Sequence, residues 1–353
     1  MSAGRDIAFG RPFRPVSLLG GRVHWRLDLR TALTCSVLLV IAMIVALATL
    51  ASGDYPVPLP DVVRALLGQA EGRIHMVVME WRLPRTALAL LLGAALGISG
   101  AIFQSLTRNP LGSPDIIGFD AGSYTGALVV ITLMGGSYLA VAGGALAGGM
   151  ATALVVYILA YRDGVQGFRL IIVGIGISAM LTSLNTWMLL RAKLEVAMTA
   201  AMWGAGSLNG LGLDRLGYAS AILLVLVPLA LVMSRPMQQL ELGDDAARAL
   251  GVDAERSRLG LLVLGVALTA TVTATAGPIG FVALAAPQLA RRVTGAAGVA
   301  MVPAAAMGAL LLVSADFLAQ RAFAPTQLPV GVVTVSLGGV YFAWLLVREA
   351  RRK

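Results

Sequence analysis

The sequence predicts an all-α integral membrane protein with about ten spanning helices. Three observations carry that expectation. Of 353 residues, 58% are hydrophobic and 13% charged, against about 25% charged in soluble domains. The mean hydropathy is +0.84. Uncharged runs of roughly 20 residues, the length that crosses a bilayer as a helix, recur along the whole chain. Cys35 stands alone, so neither a disulfide framework nor a cysteine metal site is expected. His24 and His75 are too far apart in sequence to suggest a ligand pair, and no metal site is expected.

Residues 1–30 hold six arginines, Pro12, Pro15 and paired glycines at 20–21, with no apolar core. They do not resemble a cleavable signal peptide. The expectation is a basic cytoplasmic segment with an interfacial helix near Trp25, followed by one transmembrane domain over 31–353. Thr31 to Gly53 is the first uncharged span. The proline-broken stretch after it allows a short helix capped by Asp61 and a separate amphipathic piece from Ile74 to Trp81. Thr86–Thr107 is the second span, with Gly93 and Gly97 at the spacing that lets another helix approach closely. A turn-rich break follows at Asn109–Asp115.

The uncharged stretch from Ala121 to Tyr161 is two spans long and divides at residues 135–137. Leu170–Leu190 is the fifth span. Leu216–Ser234 is the sixth, with a bend expected at Pro228. Leu259–Ala290 is too long for one untilted helix, and Gly277, Pro278 and Gly280 break it into a full span and a shorter helix from Phe281. Val293–Ala315 is the ninth span. Pro329 suits a first helical turn, and Val330–Val347 is the tenth.

Ten spans place both termini on one side. Of the 27 basic residues, 19 then fall on that side and 8 on the other. Basic loops face the cytoplasm, so both termini of this multi-pass protein are expected there. The net charge of +9 is explained by these loops without nucleic acid.

The chain holds two lysines and no phosphate-binding loop of the G-x-x-x-x-G-K-[ST] type. No nucleophile–base pair is evident, so no catalytic residues are expected and the protein is not read as an enzyme. Asp115, Asp120 and Asp316 fall near predicted span ends and read as boundary residues, not as coupling acids inside a span.

Residues 235–258 form a polar island between long apolar segments. Asp244 and Asp245 suit a helix N-terminus. Arg248 lies four residues after Asp244, a spacing that favours pairing. Gly251 sits where a terminal glycine stops a helix, and Ala246, Ala249, Leu250 and Val252 give it an apolar edge. A docking site for another protein and a solvated connector both fit. On the opposite side, Arg82 and Arg85 flank a proline, with Arg321 elsewhere on that face. They suit either carboxylates on an external partner or snorkelling to the membrane surface.

Four blocks carry a resemblance: RLPRTALALLLGAALGISGAIFQSLTRNPLGSPDIIG (82–118), RPMQQLELGDDAARALGV (235–252), GPIGFVALAAPQLARRVTG (277–295) and LPVGVVTVSLGGVYFAWLL (328–346). In this order they resemble the permease subunits of type II ABC importers, the BtuC/FecCD family that takes up iron-siderophores, haem and vitamin B12. The resemblance implies a second permease subunit, identical or a paralogue. It also implies two cytoplasmic ATPase subunits that handle ATP and magnesium, and an extracytoplasmic substrate-binding protein. No cofactor is expected on this chain itself.

The resemblance makes the island a coupling loop, with Leu242, Gly243, Asp244, Asp245 and Ala246 in its motif, and Arg248, Leu250 and Gly251 completing it. It makes Arg82 and Arg85 contacts to the binding protein. The third arginine of the family pattern, counted from the aspartate matching Asp316, falls on Gln320, one position before Arg321. Inner gates map to Asn109 and Leu111 and to Gly167 and Phe168. Spans five and ten are implied to line the route. Gln288, where many relatives carry histidine, and the SLGGVY wording lean toward a ferric siderophore as cargo. Haem, cobalamin and a proton-coupled mechanism remain the alternatives.

Overall fold

The computed structural model describes residues 13–18, 23–134, 137–161, 167–296 and 298–350. The described chain is helical apart from one N-terminal hairpin. Strands β1 (Phe13–Leu18) and β2 (Val23–Asp28) pair antiparallel, with Val16 opposite Trp25. The expected interfacial helix near Trp25 is therefore a strand. Proline inside β1 opposes a helix, and valine and tryptophan favour extended backbone.

Asp28 ends β2 and caps the first helix, α1 (Leu29–Ala51), its carboxylate accepting from the Arg30 N–H and the Thr31 hydroxyl, both at 3.0 Å. The short α2 (Leu59–Leu66) starts at Pro58, which takes the cap position. Asp61 makes no capping bond and instead pairs with Arg64 at 3.3 Å. The expected separate piece from Ile74 to Trp81 is not separate. Helix α3 (Gly72–His75) runs through a π-helical stretch, Met76–Arg82, into α4 (Leu83–Thr107). Together they form one apolar helical run of 36 residues. Pro84 falls at the junction of the π-helical stretch and α4, where it supplies no backbone N–H to the helical ladder.

The remaining predicted spans appear as α5 (Phe119–Met134), α6 (Tyr138–Ala160), α7 (Gly167–Arg191), α9 (Leu213–Val232), α12 (Ala254–Ala276), α13 (Val282–Thr294), α14 (Met301–Arg321) and α15 (Val330–Ala350). Pro228 lies inside α9 as expected. Helix α8 (Leu194–Gly204) is additional, and α10 (Ser234–Glu241) and α11 (Asp244–Ala249) build the polar island. Among the described residues, seven helices are long and apolar enough to cross a membrane, while α5 and α13 have 16 and 13 residues. The ninth span begins at Met301 instead of Val293. Gly295, at φ 64°, ends α13 first and turns the chain back.

Helix α4 is the axis of the bundle. Leu88, Leu92, Leu96, Ile98, Ile102 and Phe103 are all buried, and α12, α13 and α14 pack around it. The approach is backbone to backbone. A Cβ at Gly93 would collide with the Gly308 carbonyl, one at Gly97 with the Ala304 carbonyl, and one at Gly100 with the Ala283 carbonyl. Glycine at these positions replaces side-chain contact by close helix packing, the main attraction available inside lipid. The α5–α6 pair repeats the device at Gly126 and Gly144.

Gly97→Leu is expected to lower the melting temperature and the monodisperse yield of the detergent-solubilised protein sharply. Gly143→Leu, where nothing lies within 4 Å, is expected to leave both unchanged. Size-exclusion chromatography with a thermal ramp checks this.

Candidate functional site

The polar island is held by one face and open on the other. Met237, Leu240 and Ala247 are buried in the main core. Leu242 and Leu250 are 69% and 57% exposed. Gly243 at φ 114° sets the turn between α10 and α11. Gly251 at φ 83° ends α11: its N–H donates to the Arg248 carbonyl at 2.9 Å, and the Val252 N–H donates to the Ala247 carbonyl at 3.0 Å. Ala246 and Val252 are half-buried and Ala249 is exposed, so the apolar edge is shared between core and surface.

Asp244 does not pair with Arg248. Its Oδ1 accepts from Arg108 Nη2 and from Arg258 Nη2, both at 2.7 Å. Arg248 instead reaches Asp245 at 3.7 Å. Spacing within one helix suggested the first pairing. The fold overrides it because the start of α11 faces both the end of α4 and the start of α12. Partial burial opposes ionisation of Asp244, but the hydrogen bonds and charges of Arg258 and Arg108 outweigh it and hold the carboxyl below its ordinary value.

Arg108 was not singled out by sequence reasoning. It ends α4 in the left-handed region, φ 48°, and its Nη2 also donates to the Leu240 carbonyl at 2.8 Å. It thus joins α4 to both island helices. The residues expected at the gate lie beside it. Asn109 Oδ1 accepts the Leu111 N–H at 2.9 Å, which closes the turn and leaves Leu111 45% exposed. Gly167 abuts the Thr107 backbone, where any Cβ would clash, and Phe168 projects 74% exposed. The structure therefore brings Asn109, Leu111, Gly167 and Phe168 together at the end of α4. Nearby, Gln288 Nε2 donates to Gln104 Oε1 at 2.6 Å, and Gln104 Nε2 donates to the Leu284 carbonyl at 2.9 Å. That chain ties α13 to α4.

At the other end of α4, Arg82 and Arg85 line a groove of about 540 Å³ with Trp81 and Glu80. Both arginines have partners within the chain. Arg82 donates to the Leu50 carbonyl at 2.8 Å and to the Tyr55 carbonyl at 2.7 Å. Arg85 grips Asp316: Nε lies 3.1 and 3.0 Å from its two carboxylate oxygens, and Nη2 lies 2.8 Å from Oδ1. Gln320 Nε2 adds a bond to Asp316 Oδ2 at 2.8 Å. Asp316 is fully buried, so it is a core ion-pair partner of Arg85. Arg321 Nε is buried with no acceptor among the described residues.

Between α5, α7 and the start of α15 lies a cavity of about 580 Å³, with Asp120, Asn185, Gly280, Val335 and Ser336 in its wall. Asp120 is thus a cavity residue. Asp115 sits behind Gly280, accepting the Phe281 N–H at 3.0 Å. Helices α7 and α15 are the fifth and tenth predicted spans, so the two spans expected to line the route do line this cavity.

Residues 38–348 match the model of the FecCD transport family. The chain belongs to that family. It is 51% identical to the ferric enterobactin transport system permease protein FepG of Escherichia coli (strain K12), over 92% of this chain and 98% of that protein. It is 39% identical to the Fe(3+) dicitrate transport system permease protein FecD of the same organism, over 86% of this chain and 94% of that one. Among solved structures it resembles a metal-chelate type ABC transporter in an inward-facing conformation. The TM-score is 0.80 and the identity 26%, covering 90% of this chain and 99% of the other. This is a multi-pass FecCD membrane protein, and its island, groove and cavity lie within the matched region.

Removing Arg85 strands a buried carboxylate, so Arg85→Leu is expected to cost about 3–5 kcal/mol. Arg85→Leu with Asp316→Leu should recover much of that loss, and denaturant unfolding of the four members of the cycle measures the coupling. Because the Asp244 carboxyl is depressed, its contribution is present above the ordinary value of 3.8 and lost as pH falls through the lower folded value. Hydrogen-exchange protection factors in α10 and α11, taken relative to the intrinsic rate at each pH, should stay constant from neutral pH down to that ordinary value and fall only below it.

Proposed function

We propose that this chain is the permease subunit of an ATP-driven importer that moves a ferric siderophore inward across a bacterial inner membrane by alternating access. The named cargoes of its FecCD relatives support a ferric chelate over haem or cobalamin. The partners would be a second permease, identical or a paralogue, and two cytoplasmic ATPases carrying ATP and magnesium. A binding protein would deliver cargo from outside. Both termini would be cytoplasmic, as the basic bias favours.

One observation carries the mechanism. The island exposes Leu242 and Leu250 while its other side, through Asp244 and Arg108, is bonded to the base of the gate turn. An ATPase seated on Leu242, Leu250 and Asp245 would move α11, and the Asp244–Arg108 bond would pass that movement to Asn109 and Leu111. Gly243 and Gly251 give the island the backbone freedom to be shaped for such a seat. On the outer face, the binding protein would dock over the groove containing Trp81, Arg82 and Arg85.

Leu242→Asp with Leu250→Asp alters only exposed positions. It is expected to leave the permease inserted and folded while lowering ATP-dependent uptake into proteoliposomes at least tenfold. Uptake driven by a proton gradient in the absence of any ATPase subunit would overturn the importer reading.

A further inference from the structure

The wall of the membrane cavity is biased toward hydrogen-bond acceptors. Asp120, in the first turn of α5, has its Oδ1 buried with no partner. Asn185, on α7, is 4% exposed. Its Nδ2 donates to the Ala121 carbonyl at 3.2 Å, and its Oδ1 is left without a donor. Both residues line the same cavity. Thr186 spends its hydroxyl hydrogen on the Thr182 carbonyl at 2.9 Å. Tyr124 and Ser336 contribute hydroxyls, which accept as readily as they donate. Among the described lining residues there is no lysine, arginine or histidine. Asp115, behind Gly280, adds a second carboxylate whose Oδ1 also lacks a partner.

A carboxyl and an amide oxygen held without donors inside a membrane protein are costly. The Arg85–Asp316 pair shows that this fold supplies an internal cation where an acid serves packing. None is supplied at Asp120 among the described residues, which leaves its carboxylate open to a group that enters the cavity. We propose that Asp120 and Asn185 form an accepting recognition site that selects chelates presenting an ammonium donor over chelates of the same shape that lack one. The proposal rests on the importer reading and adds a specificity determinant to it.

The test uses the complete transporter in proteoliposomes and two ferric trihydroxamates with identical iron coordination, one bearing a free ammonium and the other its N-acetylated form. Wild type should import the ammonium form faster, by about tenfold for one desolvated charge-assisted hydrogen bond. Asp120→Asn, which keeps the side-chain shape, should bring the ratio close to one, and Asn185→Leu should lower it while Asp120 remains. An unchanged ratio in Asp120→Asn overturns the proposal, as does an equal loss of both rates, which marks a packing role. Wild type that imports some other ferric chelate but neither of these overturns it as well. A complex that hydrolyses ATP yet imports no chelate at all removes the importer reading, and the proposal with it.

Discussion

The constraint on which the rest depends is the backbone contact along α4. Gly93, Gly97 and Gly100 let three carbonyls of α13 and α14 approach to where a Cβ would stand. Lipid offers no hydrophobic drive to bring helices together, so packing of this closeness must supply the cohesion. It also fixes the axial position of α4 against its neighbours, because a slide of one residue would set a side chain against a carbonyl. Each functional region inherits its place from that registration. Arg85 meets Asp316 at one end, Arg108 meets Asp244 at the other, and Gln104 meets Gln288 between them.

The two ion pairs at the ends of α4 differ in kind. Asp316 is fully buried, and its arginine is 12% exposed. Such a pair is poor at adding net stability but severe when half of it is removed. It acts as a fixed joint between α4 and α14. The Asp244 pair is open to water, with side chains 47% and 37% exposed. Solvent lowers both its strength and the penalty for breaking it. Asp244 also has two arginines to choose from.

Local patterns made much of this legible in the sequence. Charge-free lengths located the spans, Gly93 and Gly97 marked a close helix contact, and Gly251 marked the end of α11. Each depends on residues within a turn or two of one another. What the sequence did not disclose depends on distance. Arg108 and Asp244 are 136 positions apart, and Arg85 and Asp316 are 231 apart. No local rule connects them, so Asp244 was assigned the partner four residues away and Asp316 was read as a boundary residue. Asp120 is likewise set against its cavity by residues of α7 and α15 far along the chain. The run from Gly72 to Thr107 was divided in advance at its charged residues, yet Arg82 donates to distant carbonyls, Arg85 pairs with a distant carboxylate, and the helix continues. The hairpin and the start of α14 differ from expectation at a proline and at a left-handed glycine, which the period of apolar residues does not register.

Arg108 gives the left-handed end of α4 a mechanical meaning. A helix bends far less readily than the loop that follows it, and this one is clamped along most of its length. Force arriving at Arg108 is applied to the foot of a stiff column. Such a load would tilt the column about its glycine contacts, with the outer end moving opposite to the inner. The same lever would close one mouth of the passage as it opens the other, and softening the column anywhere along its length would waste the stroke as bending.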